Sequence, residues 1–197
     1  MLPFEISEPV ARMSIFAAVL VALAGLEAML PRRRRVETRT RRWFTNVALI
    51  AIDTIAVRIA VPIVAITAAE SAAAQGWGLF NLIDWAPWLE IVLAIVLLDL
   101  FIYGQHVASH KIPILWTLHK VHHADRDMDV TTGFRFHPIE IILSMVFKIL
   151  CIFLLGPAAI AVFLFEVVLS SSAMFNHANM QLPSWLDRIA ASGTGNA

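Results

Sequence analysis

His106 and His110 stand four positions apart, and His119, His122 and His123 follow after a step of nine. Residues three or four apart on a helix are neighbours, so each set turns its imidazoles to one side. Two such sets within eighteen positions form a metal-binding pattern, because imidazole is the commonest metal ligand. No thiolate accompanies them, since the one cysteine, Cys151, lies inside an apolar run. Imidazole without thiolate suits iron, zinc, copper or nickel rather than magnesium or calcium. Five imidazoles also exceed the four ligands of a closed zinc site, which points to two metals. Neither HExxH nor ExxH occurs, so no zinc protease and no soluble carboxylate di-iron bundle is encoded. Imidazole ligands need outer partners to fix their tautomers. The candidates are Asp99, one heptad before His106, and Asp125, with Asp127 and Asp129 beside it.

The elements that must hold these residues are membrane helices. Of 197 residues, 59% are hydrophobic and 15% charged, against about 45–50% apolar and about 25% charged in soluble domains. A chain this short has too little interior to hide that excess. Its formal net charge of zero gives no global field for nucleic acid. Apolar stretches run over residues 10–30, 43–69, 88–103, 139–155 and 157–175. A crossing of the ~30 Å hydrocarbon core takes about 20 helical residues. The last two stretches meet at Gly156 and Pro157, as in a tight helical hairpin. The expected fold is therefore all-α: one multi-pass membrane domain over 1–197 with about five apolar helices and a metal region over 106–137.

Acidic Glu5 and Glu8 precede the first stretch, which argues against a signal peptide. Seven arginines follow it (32–35, 39, 41 and 42), and the positive-inside rule puts them in the cytoplasm. The N-terminus and the loop carrying Trp77, Trp85 and Trp88 then lie outside. All seven histidines fall after residue 105, and this routing gathers them at the cytoplasmic face. Charges within the stretches cost at least a few kcal/mol each unless paired or watered. Lys148 and Glu166 lie at similar distances on either side of the Gly156–Pro157 turn, so they are expected to pair. Asp53 and Arg58 are five apart and cannot share one partner, but they can line a polar interior.

The order Asp99-Leu-Phe-Ile-Tyr-Gly-Gln-His106-Val-Ala-Ser-His110, His119-Lys-Val-His-His123, Thr131-Thr-Gly-Phe-Arg-Phe-His137-Pro-Ile-Glu140 and Phe175-Asn-His177-Ala-Asn179 resembles the fatty acid hydroxylase/sterol desaturase superfamily. It is most similar to the bacterial branch related to alkylglycerol monooxygenase, over residues 42–188. The resemblance implies a membrane non-haem di-iron oxygenase acting on lipid C–H bonds. Its partners would be a lipid substrate, O2 and a donor of two electrons, and its place the bacterial inner membrane. Zinc could replace iron in purified protein. The family's first two boxes map onto His106 and His110, and onto His119, His122 and His123. His177 matches a further ligand, and His137 a His-Pro position that joins the candidates. The family also carries a third HxxHH box shortly after Arg188. Here residues 189–197 contain no histidine and read as a truncated, non-family tail. The expectation is partial metal loading and little turnover, raised by grafting such a box after Arg188.

Other classes remain open at this point. An inactive, metal-poor fragment of such an enzyme is one. A bis-histidine haem carrier would want its histidines across two helices within the bilayer, and a zinc transporter would want polar ligands along the crossing.

Overall fold

The computed structural model describes residues 7–183, and every element named among them is helical. The helices are α1 (Glu8–Met29), α2 (Arg39–Ala60), α3 (Ala65–Gln75), α4 (Pro87–Lys111), α5 (Pro113–His123), α6 (Pro138–Leu155) and α7 (Ala159–His177). Short 3-10 turns lie at Leu79–Leu82 and Thr132–Phe134. Five helical segments are long and apolar enough to cross a membrane, with α2 to Leu82 counted as one. The expected multi-pass helical fold is what forms. The tail over 189–197 lies outside the described residues.

Proline and glycine set where the apolar runs break. The second run is not one helix. Pro62 has no N–H to donate and restricts the residue before it, so Val61 turns extended (φ −128°, ψ 88°) and α3 starts afresh. Four alanines (Ala65, Ala68, Ala69 and Ala72) form the buried face of α3, and their small size lets it lie close on α6 and α7. The α6–α7 hairpin forms as expected, with Gly156 capping α6 in the left-handed region at φ 65°. Backbone packs so closely here that a Cβ on Gly78 would collide with the Gly156 backbone, and one on Gly156 with the Trp77 carbonyl. The Asn81 amide nitrogen donates to the Gly156 carbonyl at 3.0 Å and completes the seam.

These contacts fix the routing. Glu90, in the first turn of α4, accepts the Ala158 N–H at 2.7 Å, so α4 starts beside the hairpin turn. It ends with His106 and His110 at the opposite pole of the bundle. There the arginine-rich loop meets the segment after α5. Arg42 is 2% exposed and grips Asp125 with two hydrogen bonds of 2.8 Å. It also donates to Asp129 at 2.8 Å. Asp127 accepts the N–H groups of Val36 at 2.8 Å and Glu37 at 2.6 Å. Fully buried Glu27 accepts from the N–H groups of Val130, after α5, and Asn179, after α7. The arginines are thus not one solvated cluster: Arg42 is a structural clamp.

Within the membrane, Lys148 and Glu166 pair at 2.5 Å, as their symmetric spacing predicts. Arg12, on α1, takes the other Glu166 oxygen at 2.6 Å and ties α1 to the hairpin. Removing one member of a buried pair leaves an uncompensated charge at a cost of about 3–5 kcal/mol, whereas removing both can be nearly neutral. Glu166→Leu, which takes the carboxylate from both Lys148 and Arg12, is therefore expected to destabilise the chain by more than Lys148→Leu/Glu166→Leu, which takes it from Arg12 alone. Thermal unfolding in a fixed detergent compares them; equal effects would mean that the pair is not a stabilising unit.

Candidate metal centre

Two helices and one proline bring the histidine boxes together. In a continuous helix His110 and His119 would lie ~13 Å apart along the axis. Ile112 instead turns extended (φ −94°, ψ 116°) before Pro113, which is well suited to the first turn of a new helix. The nine-residue step then closes, and the two rings sit with centroids 4.8 Å apart. Ring nitrogens of His106, His110 and His119 lie within 4.8 Å of one another. His123 joins them, with its Nε2 at 3.2 Å from Nε2 of His119.

The next turn of α5 supplies a second grouping. His122 faces His177, at the end of α7, with their Nε2 atoms 3.0 Å apart. It also remains close to His119, at 5.3 Å between centroids. Six imidazoles therefore converge as a group of four and a group of two at one pole of the bundle. The donor set fits a metal of the imidazole-binding class. His106 and His110 are exposed, whereas His119 and His122 are 1% and 5% exposed. The seventh, His137, does something else: its Nδ1 accepts the Ile139 N–H at 3.1 Å and caps α6.

Neutral imidazole is the ligating form, and burial favours it. Burial and neighbouring His177 and His119 lower the His122 pKa to about 3. His123 moves down for the same reasons, led by burial and His119. Both are therefore neutral at pH 7. The Nδ1 of His122 is buried with no hydrogen-bond partner, and its ring stacks on Phe136 at 5.1 Å and 5°.

The groups that orient the rings differ from those the sequence suggested. Glu140, in the first turn of α6, holds His119 Nδ1 at 2.5 Å and leaves Nε2 to face the cluster. His177 Nδ1 is held by the Ala173 carbonyl at 2.7 Å. Asp125 bonds to Arg42, Asn46 and Thr132. Burial pushes its carboxyl up, but the Arg42 and Thr132 hydrogen bonds overcome this and hold it below the usual range. Asp99 does share the His106 face by helical period, but that face is exposed there, and Asp99 bonds to no described residue. Glu140 sits one turn beyond His137 at a proline-started helix; the carboxylate near a candidate histidine was visible, but its partner, 21 positions away, was not.

A carboxylate on the far ring nitrogen typically changes metal affinity by 10–100-fold. Glu140→Ala is expected to weaken metal binding by about tenfold or more, while Asp99→Ala leaves it unchanged. Competition with a chromophoric chelator measures both, and an equal loss in the two variants would remove Glu140 from its orienting role.

A family model described as Fatty acid hydroxylase matches residues 91–194, just over half of the chain. No curated protein and no solved structure matches it. The matched region contains both histidine boxes, Glu140 and His177, and a histidine cluster fit for a metal forms within it. The chain belongs to the fatty acid hydroxylase family.

Proposed function

We propose that the chain is a membrane non-haem iron oxygenase that hydroxylates or desaturates a lipid, using O2 and two electrons from a donor protein or reduced cofactor. One observation carries the reading: six thiolate-free imidazoles converge at one pole of an apolar helical bundle. His106, His110, His119 and His123 would hold one ion, and His122 and His177 would contribute to a second. Iron held there would supply oxidising chemistry with O2, which no side chain can.

The protein's own part is positioning. Glu140 and the Ala173 carbonyl fix the orientations of His119 and His177, so Nε2 of each would be the atom that holds the metal. Phe136 covers the buried His122 ring. The arginine-rich loop shares the pole of the histidines, which supports a cytoplasmic face by the positive-inside rule. The whole chain acts as one membrane domain with its metal region over 106–137.

The unequal groups predict unequal binding. Iron titration of the metal-free chain is expected to show a tighter class lost in His119→Ala and a weaker class lost in His177→Ala. In lipid nanodiscs with iron, a reductant and 18O2, hydroxylation would place label in a lipid product, and desaturation would remove two hydrogens. Either product should vanish in His119→Ala. Absence of iron binding, or equal product from this variant, would overturn the reading.

A further inference from the structure

α1 packs on α7 and α2 on α6, which leaves a groove between α1 and α2. Its cavity is about 270 Å³, and its walls include Val57, Met145 and Phe136. Phe136 is the residue stacked on His122, so the groove and the metal centre share a wall. Polar atoms inside such a membrane groove are costly unless they are satisfied. Arg12 and Glu166 satisfy each other at its edge. Asp53 has no such partner. It is 6% exposed and lines the groove, its Oδ1 is buried without a hydrogen bond, and it pairs with no described residue. Glu140, which holds His119, is within Coulombic reach of it.

We propose that this groove binds a single-chain lipid bearing a hydroxyl, with Asp53 accepting the hydroxyl's hydrogen bond and the apolar walls taking the chain. A carboxylate is acceptor-only, so the missing partner is a donor. Formal charges in the groove's lining already balance: Arg12 and Arg58 stand against Asp53 and Glu166. A neutral donor keeps that balance, whereas a fatty carboxylate would set a second acceptor against Asp53. Asp53 is thus a positioning residue for a ligand held one aromatic ring away from the metal centre. The ligand's role as substrate rests on the oxygenase reading, but its binding does not.

The test uses the full 197-residue chain in saturated phosphatidylcholine nanodiscs, with and without iron. Radiolabelled 1-hexadecanol, its methyl ether and hexadecanoate are compared by retention at equilibrium. A charge-assisted hydrogen bond is worth about tenfold in affinity, so the alcohol should be held about tenfold more tightly than the ether, in either iron state. Asp53→Leu should erase that preference without lowering the melting temperature, because exchanging an unpartnered buried carboxylate for an apolar side chain costs no interaction. Val57→Trp, which fills the groove, should reduce binding of the alcohol and the ether alike. Equal retention of alcohol and ether by the unmodified chain, tighter retention of hexadecanoate, or a preference that survives Asp53→Leu would overturn the proposal. So would an Asp53→Leu chain that melts lower, since that marks Asp53 as structural. Retention is read without turnover, so a chain that binds the alcohol but oxidises nothing refutes the oxygenase reading alone. A chain that oxidises lipid without the alcohol preference refutes this proposal alone.

Discussion

The buried grip of Arg42 on Asp125 and Asp129 is the interaction on which the metal pole depends. A guanidinium presents a planar fork of donors that matches a carboxylate with two parallel hydrogen bonds, and here all three partners are almost fully enclosed. The pair is anchored at both ends: Asn46 and Thr132 add to Asp125, while Trp43 and Thr131 add to Asp129. Isolated, each of these charges would be expensive so far from water. Together they weld the start of α2 to the segment leaving the second histidine box, and so fix where α5 ends. Arg135 extends the weld by donating to the Val121 carbonyl and to Asn46.

With that end fixed, the geometry of the histidines follows from ordinary rules of the backbone. Helical spacing aligns the members within each box, and Pro113 closes the step between the boxes. The α6–α7 hairpin then returns His177 to the same pole. The glycine seam at the other pole supports this return, because Gly78 and Gly156 approach more closely than any side chain would allow. Histidine chemistry at one end of the bundle is thus secured partly by backbone contact at the other.

What the sequence reveals is whatever depends on local order. The apolar runs, the hairpin turn, the two boxes and the Lys148–Glu166 pair all follow from spacing along the chain or symmetry about a turn. Contacts between distant segments do not. Arg12 reaches Glu166 across 154 positions, and Arg42 reaches Asp125 across 83. A basic run reads as surface charge until its counter-ions are located. The carboxylate beside His119 illustrates the same limit: helical period brings Asp99 onto the correct face of α4, but only the packing of α6 beside α5 selects Glu140. Pro62 was present in the second apolar run, yet hydropathy alone does not register a break where both sides are equally apolar.

The six histidines also differ in when they become available. Those on α4 and α5 lie within eighteen positions, so they can meet as soon as that stretch leaves the ribosome. His177 lies 55 positions beyond His122, on the far side of a complete helical hairpin. Contacts of long sequence separation form late, because loop-closure entropy must be met first. The cluster is therefore assembled in two acts, a local nucleus and a later closure that requires the hairpin to have inserted. His177 reaches His122 only once α6 and α7 stand side by side, so the centre is complete only in the fully packed bundle.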